Sequence, residues 1–456
     1  LLEPESTAYY APFHFHLGSP ISLKVLQNSW QKIVQRHAIL KSQFCFNDGE
    51  LNVLINHKMR VDIEVENVKQ EGLTRYIDGF NQAPFDLQNG PLVKLCLIHV
   101  EGQNKQVLLM NFHHLIIDGW SINIILNELS QFYNANIKGH ELSLSPIKTH
   151  YGDFCLQSHM TPLKNVYQDN QTFWHAKLSD FKKRTSIFST VNNQSCHGGQ
   201  LMSTIDTKDW RGISQRINDE GITLFSYLLA TYTLALKEQF KHSLIPIGAP
   251  IANRLTTDNE ALVGLLANTT VFYCKDDGFL PSNRFLQSVH HTVVETMQYQ
   301  AFDYQEITAL KNTKTHADPL FECLLVLENT DLNQLQFTNT QVDAETGFAG
   351  DAKFPISLYL THTKDGAHLC LEFQQRCLDN KLAKQLLDSI KRSMLALSKN
   401  AHLPVNALNL LGQNENRSAH IIRETSKACF DAQNIWNNNT RDFDSEISFI
   451  DLFEQQ

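Results

Sequence analysis

The residues of this 456-residue chain that are best suited to chemistry stand together between positions 111 and 121. The segment reads Asn-Phe-His-His-Leu-Ile-Ile-Asp-Gly-Trp-Ser, so that His113 and His114 are followed, after three aliphatic residues, by Asp118 and Gly119. Imidazole exchanges protons near neutral pH, and a nearby carboxylate can orient the ring or pair with a base. Because successive side chains of an extended segment point to opposite faces, we expect one histidine to be presented to a substrate and the other to be structural.

Two other interpretations of this segment compete with a reactive histidine. A pair of core histidines beside a turn would use the same residue types, but two histidines, three aliphatic residues, Asp and Gly are far less common together by chance. A metal site is disfavoured, because only one of the two histidines can point at a given ion and no HExxH pattern supplies further ligands. We therefore predict no metal. A second pair, His290 and His291, has no Asp-Gly after it and is interpreted as part of a helix face.

The motif is predicted to lie where a buried strand gives way to a helix. Residues 107–112 are almost wholly apolar, which is typical of a strand buried on both faces. Ser121 is predicted to cap the helix that follows. The apolar stripe of that helix falls at Ile122, Ile125, Leu129 and Phe132. In α/β proteins such a strand end is a common place for a site.

Helices and strands alternate along the rest of the chain, which favours a mixed α/β fold. One helix is predicted from Ser22 to His37 and another from about Asn380 to Ser398. A second α/β set is predicted to start at Gly221, where Thr223 caps a helix. Its later strands are predicted at 321–327, 356–362 and 368–373.

The composition excludes some classes of function. There are 39 Lys and Arg against 48 Asp and Glu, and a net charge of −9 disfavours nucleic acid as a partner. No stretch of 18 uncharged apolar residues is present, so we expect no membrane span. The nine cysteines form no CxxC pair, which indicates a reduced, cytoplasmic protein. Since the chain begins with Leu1 and lacks a signal segment, we expect it to be a piece of a longer protein.

Residues 113–121, HHLIIDGWS, resemble the HHxxxDG signature of condensation domains of nonribosomal peptide synthetases, which have the chloramphenicol acetyltransferase-like fold. Other stretches resemble further motifs of the family in the same order, over nearly the whole chain. They are 36–44 (RHAILKSQF), 84–92 (PFDLQNGPL), 151–154 (YGDF), 248–254 (GAPIANR), 263–269 (VGLLANT), 302–304 (FDY) and 318–321 (DPLF). We find no counterpart of the family's first motif at the amino end.

The resemblance implies a fold of two acetyltransferase-like lobes. These would form a V-shaped pseudo-dimer with the active site in a tunnel between them. We assign residues 1–165 to the amino-terminal lobe and 166–411 to the carboxy-terminal lobe. Residues 412–456 resemble the linker that leads towards a following adenylation domain.

The resemblance also implies a reaction. In the family, the amine of an acceptor aminoacyl thioester attacks the carbonyl of a donor acyl or peptidyl thioester, and an amide bond forms. His114 would lie at the reacting centre, either taking a proton or positioning the amine. His113 and Asp118 are assigned to the shape of the site. Asp118 is predicted to form a buried ion pair with an arginine, for which Arg36 is the candidate.

Four residues are predicted to lie close to the substrates. Gly119 would leave room for a phosphopantetheine arm, with Trp120 and Ser121 beside it, although a core position for Trp120 is favoured over a substrate platform. Asn268 would donate a hydrogen bond near the junction of the lobes. The resemblance implies no cofactor bound by this domain, because the phosphopantetheine belongs to carrier domains. The implied partners are an upstream and a downstream carrier domain and an adjacent adenylation domain, with the excised domain monomeric.

Two departures from the family pattern leave details open. The segment 263–269 lacks the aromatic and the β-branched residue of the family's VGxFVNT motif, and 300–306 lacks a His and a Pro. The donor class, the acceptor amino acid and a starter or elongation role are therefore not assigned. Two alternative functions remain. One is a catalytically silent platform that docks carrier domains, which the intact motif argues against. The other is a standalone acyl-coenzyme A acyltransferase, which the absence of a DFGWG motif disfavours.

Overall fold

The structure is a computed structural model that describes residues 6–47, 50–159, 164–179, 187–188, 197–242, 244–275, 278–310, 319–363 and 366–408. The predicted linker 412–456 lies outside the described residues. Within the described part of the chain, no helix is both long and apolar enough to cross a membrane.

Helices and strands are interleaved along the chain, as the sequence predicts. The strands are β1 (Tyr10–Leu17), β2 (Ser42–Asn47), β3 (Glu50–Ile55), β4 (Ile63–Val68), β5 (Val93–Val100), β6 (Gln106–His113), β7 (Gly198–Ile205), β8 (Ile247–Ile251), β9 (Asn268–Phe272), β10 (Cys323–Leu327), β11 (Val342–Thr346), β12 (Ile356–Thr363) and β13 (Gly366–Gln374). The helices are α1 (Leu23–Arg36), α2 (Leu73–Gln82), α3 (Gly119–Ile137), α4 (Tyr151–His159), α5 (Lys164–Ser179), α6 (Thr207–Glu220), α7 (Leu224–Phe240), α8 (Thr257–Glu260), α9 (Ser282–Gln298), α10 (Tyr304–Ala309) and α11 (Asn380–Lys399).

The first sheet has the strand order β11-β1-β6-β5-β4. All eight residues of β6 are buried, because helices cover both of its faces. Leu108, Met110 and Phe112 pack with α1 and α3, whereas Val107 and Leu109 pack with α2. The prediction of a strand buried on both faces is confirmed, although β6 is antiparallel to both of its neighbours. Burial on two faces therefore accounts for its continuous apolar run.

The second sheet has the strand order β7-β13-β12-β10-β8-β9. Its central strands β8, β10 and β12 are parallel. Helices α6, α7, α9 and α11 pack on one face, against side chains such as Leu325, Leu358 and Leu371. On the opposite face, α5 and α10 cover only the part near β9 and β10, in a smaller cluster that includes Trp174 and Leu324.

Strand β11 joins the two halves of the chain in a way that the sequence does not predict. It lies between β10 and β12 in the sequence, yet it pairs with β1 in the first sheet, with Phe15 opposite Ala344. Residues 342–346 were assigned to the carboxy-terminal lobe with the rest of 166–411, but they belong to the first sheet. The boundary near residue 165 stays a prediction.

The helix boundaries follow from local signals. Ser22 caps α1 by accepting the N–H of Val25. Thr223 caps α7 by accepting that of Ser226, as predicted. The helix that follows the histidine motif is capped by Asp118 and not by Ser121, which corrects the prediction. The carboxylate at 118 reaches the N–H of Ser121, so the helix begins at Gly119, three residues earlier than a cap at Ser121 would allow.

Candidate active site

The histidine motif bridges the end of β6 and the start of α3. His113 is the last residue of β6, His114 opens a single turn of 3-10 helix, and α3 begins at Gly119. The N–H of His114 donates to the carbonyl of Tyr9, 2.8 Å away, and so fixes the turn to the chain just before β1. The change of direction separates the two imidazoles. His113 is buried, whereas His114 is partly exposed, so the two rings have different environments as predicted, although the turn that begins at His114 and not strand alternation separates them.

His113 has a structural environment. Its ring packs against Tyr9, Tyr10 and Phe85, with centroid separations of 6.4, 5.7 and 5.9 Å. Its Nδ1 accepts the N–H of Leu115 at 3.2 Å. Burial, with a smaller contribution from His114, lowers the pKa of His113 to about 4, so this ring is neutral at physiological pH. These contacts fit the predicted role of His113 in the shape of the site.

His114 is held in one orientation with one nitrogen unused. Its Nδ1 lies 3.3 Å from the carbonyl oxygen of Ile117, and because a carbonyl only accepts, Nδ1 carries the proton of that hydrogen bond. The other nitrogen, Nε2, has no hydrogen-bond partner among the described residues. Burial, followed by the positive charge of Lys353, lowers the pKa of His114 to about 4. The motif therefore presents a neutral imidazole with a free lone pair on Nε2.

Asp118 ties the motif to the second half of the chain. Its Oδ2 accepts the backbone N–H groups of Leu266 and Ala267 at 3.1 and 3.2 Å, and its Oδ1 accepts the N–H of Ser121 at 2.9 Å. Arg254 donates from both terminal nitrogens, Nη1 to Oδ2 at 2.9 Å and Nη2 to Oδ1 at 3.1 Å. The side chain of Asp118 is 6% exposed and that of Arg254 is 2% exposed. A fork-to-fork pair of this kind is both strong and geometrically specific.

The predicted ion pair between Asp118 and Arg36 is wrong. Arg36 donates from Nε to Glu128 at 2.9 Å, and His37 lies 2.8 Å from the other oxygen of the same carboxylate. Glu128 is ten residues beyond the cap Asp118, and a helix rises about 1.5 Å per residue, so the two residues are separated by about 15 Å along the axis of α3. Arg36 ends α1, and its guanidinium meets Glu128 within α3 and not the aspartate that caps this helix.

The structure also places the four residues that the sequence assigns to the substrates. Ser121 is completely buried, and its hydroxyl lies 2.7 Å from Asp118 Oδ1 and 3.0 Å from the Gly264 carbonyl. It accepts the N–H of Gly264 at 3.1 Å as well. A substrate cannot reach this side chain, so the prediction that Ser121 binds substrate is corrected to a structural role.

Gly119 and Trp120 lie at the junction with the second half of the chain. A Cβ at Gly119 would stand 2.9 Å from Thr330 Oγ1, so glycine here allows a loop after β10 to approach the start of α3. Room at Gly119 for a phosphopantetheine arm stays a prediction. Trp120 is 43% exposed, and its indole N–H donates to the carbonyl of Glu260. The guanidinium of Arg254 lies 5.5 Å from the indole ring, so Trp120 covers the buried ion pair on one side and is not a core residue.

Asn268 begins β9. Its amide donates to the carbonyls of Gln300 and Phe302, both at 3.2 Å, and its Oδ1 accepts the N–H of Tyr304. Both amide hydrogens of Asn268 are used in these bonds, so its side chain holds residues 300–304 in place. In this arrangement the amide does not donate to a substrate.

Two residues of the site were missed in the sequence. Arg254 belongs to the 248–254 stretch that follows strand β8, and an arginine at a strand end in a motif was the signal that could have identified it as the partner of Asp118. Lys353 carries no such signal. Its Nζ lies 4.8 Å from the ring centroid of Tyr9 and 5.4 Å from that of Phe354, and its charge acts on His114. Among the residues that the structure describes, no three His, Cys, Asp or Glu side chains could hold a metal ion.

Comparisons with known proteins identify the family of this chain. The condensation-domain family matches residues 1–419, and the chain therefore belongs to that family. Malpinin synthetase of Mortierella alpina is 25% identical over 420 residues, which are 90% of this chain and 5% of that protein. The chain thus spans a small part of the length of this curated relative.

Solved structures show the same fold. The X-domain from teicoplanin biosynthesis has a TM-score of 0.79 at 16% identity, with 89% of this chain and 94% of that one covered. The starter condensation domain of rhizomide synthetase, solved as a mutant in complex with C8-CoA and Leu-SNAC, has a TM-score of 0.78 at 14% identity. That similarity covers 90% of this chain and 94% of the other. The predicted acetyltransferase-like fold is confirmed.

Proposed function

We propose that this domain forms an amide bond between an acyl or peptidyl thioester and the amine of an aminoacyl thioester. The observation that carries the proposal is the state of His114, a neutral, partly exposed imidazole whose Nδ1–H is held by Ile117 and whose Nε2 is free. Family membership supports the reaction class. Asp118, which accepts hydrogen bonds from Arg254 and Leu266, keeps the motif in place and takes no part in proton transfer.

The low pKa of His114 favours positioning over deprotonation. An α-amine has a pKa near 8, so transfer of a proton from its ammonium form to an imidazole of pKa about 4 costs about 5 kcal/mol. His114 Nε2 can instead accept a hydrogen bond from an amine that is already neutral and direct its lone pair at the donor carbonyl. The new C–N bond then forms, the C–S bond breaks, and the proton lost by the amine ends on the leaving thiol.

The substrates are proposed to arrive on the phosphopantetheine arms of carrier domains, with none held permanently by this domain. This part of the proposal rests on the relatives, since a four-domain nonribosomal peptide synthetase contains a segment with a TM-score of 0.78 to this chain. That segment makes up 33% of the longer chain. Upstream and downstream carrier domains and an adenylation domain are the proposed neighbours.

A direct assay tests the proposal. The purified chain is incubated with a panel of acyl donors, as coenzyme A thioesters or loaded on carrier domains, and with aminoacyl N-acetylcysteamine acceptors. We expect a new amide product by mass spectrometry, formed faster from carrier-bound donors. Product from coenzyme A thioesters alone would favour a standalone acyltransferase. A folded chain that makes no amide from any pair, yet binds carrier domains, would contradict the proposal in favour of a silent platform.

The pH dependence of the reaction should follow the acceptor amine and not His114. Because the pKa of His114 is lowered from 6.5 to about 4, its imidazole stays neutral down to about pH 5, and no loss of rate is expected near pH 6.5. The rate should instead fall about tenfold per pH unit below the pKa of the amine. Profiles measured with two acceptors of different amine pKa should be displaced from each other by that difference. A shared inflection near pH 6.5 would contradict this assignment.

A further inference from the structure

One face of the second sheet carries polar side chains that the proposed mechanism does not use. On β12, Ile356, Leu358 and Leu360 point into the helical core, so Ser357 and Tyr359 point to the opposite face. Neighbouring strands add Glu372 from β13, which pairs in register with Ser357. They also add Gln200 from β7, which lies opposite Glu372. Helices α5 and α10 cover the part of this face near β9 and β10, and the part made of these four residues is beyond that cluster.

The four residues form a connected polar surface with unused hydrogen-bonding capacity. Gln200 Nε2 donates to Glu372 Oε1 at 3.3 Å, and the hydroxyl of Tyr359 donates to the same carboxyl group. No Lys, Arg or His in the described part of the chain pairs with this carboxyl. Ser357 is 2% exposed, and its hydroxyl has no hydrogen-bond partner among the described residues.

This surface adjoins the histidine motif at both ends of β12. Before the strand, Lys353 lies close enough to His114 for its charge to lower the imidazole pKa. Towards the other end, the loop 328–330 that follows β10 contacts Gly119, and Glu328 of that loop donates its N–H to the carbonyl of Leu360 in β12 at 2.9 Å. Ser357 and Tyr359 therefore lie between the two contacts that the second sheet makes with the motif.

We propose that Ser357, Tyr359, Glu372 and Gln200 form a binding surface for a substrate side chain that carries a hydrogen-bond-donating nitrogen, such as an ammonium, guanidinium or amide group. The surface offers a carboxyl and a hydroxyl as acceptors and supplies no cation of its own. A cationic group would pair with Glu372, and Ser357 would accept a further N–H. The inference rests on the proposed function, since it assigns the side chain to one of the two thioester substrates.

The charge of this surface depends on pH. Burial raises the pKa of Glu372 to about 7, so its carboxylate form grows as pH rises from 6 to 8. Among the described residues, the other ionisable groups on this face include Tyr359 from β12, Cys370 and His368 from β13, and Glu328 after β10, with Lys353 at its edge. Burial raises the pKa of both Tyr359 and Cys370, which keeps them neutral in this range. Affinity for a cationic ligand should therefore increase with pH up to about 8.

Calorimetry with unreactive ligands tests the surface without requiring turnover. Two pairs of ligands are compared. For the acceptor side, lysine and norleucine are each joined by an amide bond to the amine analogue of N-acetylcysteamine. For the donor side, coenzyme A thioethers with and without a terminal amine are used. We expect the basic member of one pair to bind about tenfold more tightly at pH 8, and the preference to shrink at pH 6. Glu372→Gln, which keeps the shape, should abolish the preference and its pH dependence.

The matched control is Glu66→Gln, which removes an exposed carboxylate from the edge strand β4 and should leave the preference unchanged. Equal affinity for basic and neutral ligands in both pairs, or a preference that survives Glu372→Gln, would overturn the inference. The side that shows the preference identifies the substrate. Binding is measured without reaction, so the two proposals can fail separately. A chain that binds the basic ligand selectively but forms no amide would contradict the proposed function and would still support the binding surface.

Discussion

Asp118→Ala is expected to lower the free energy of unfolding by about 3–5 kcal/mol, because it leaves the guanidinium of Arg254 buried without its counter-charge. The same change removes the acceptor of the N–H groups of Leu266, Ala267 and Ser121. Both losses act where α3 meets the second half of the chain. Urea denaturation followed by circular dichroism measures the effect.

Two arginines provide a matched comparison for this prediction. Arg254→Ala should destabilise the protein in the same range, whereas Arg36→Ala should cost less, because Glu128 keeps its contact with His37. In a double-mutant cycle Asp118 and Arg254 should be strongly coupled, while Asp118 and Arg36 should be additive within about 0.5 kcal/mol. Additivity of Asp118 with Arg254, or an unchanged unfolding curve for Asp118→Ala, would contradict the assignment of the ion pair.

His114→Ala is expected to lower amide formation by about 100-fold or more and to leave the fold intact. The ring makes one side-chain hydrogen bond, to Ile117, and is partly exposed, so its removal disturbs the packing little. What is lost is the Nε2 lone pair that orients the amine. Initial rates with loaded carrier domains, together with the unfolding curve, separate the chemical effect from a structural one.

The second histidine pair supplies the control for this experiment. His291 is exposed on α9, and His291→Ala should retain the wild-type rate. His113→Ala is unsuitable as a control, because it would open a cavity among Tyr9, Tyr10 and Phe85. A rate for His114→Ala close to that of the wild type would remove His114 from the mechanism and would favour the silent-platform alternative.

Much of the site could be predicted from local sequence. The strand before the motif was visible as a continuous apolar run, and α3 as an apolar stripe with a period of 3.6 residues, both within one stretch of chain. The cap of α3 was misplaced by three residues because both Ser121 and Asp118 are good caps, and only the three-dimensional turn shows which of them reaches a free N–H.

The partner of Asp118 could not be derived in this way. Arg254 is 136 residues away. Its place in a motif just after β8 made it a candidate counter-ion but did not exclude Arg36, which also stands in a motif. The buried Asp–Arg pair that the family resemblance implied is nevertheless present. An aspartate in an apolar setting needs a cation or several hydrogen-bond donors. The structure supplies both.

By itself the sequence determined the mixed α/β architecture, the strand-to-helix junction and the family to which the motif belongs, since these depend on residue types at short spacing. Tertiary structure alone decided that β11 leaves the second half of the chain to pair with β1, that Arg254 neutralises Asp118, and that Lys353 lies beside His114. The physical reason is that strand pairing and ion pairing between distant segments depend on which surfaces come into contact when the two sheets are buried. Local sequence patterns do not specify these long-range contacts.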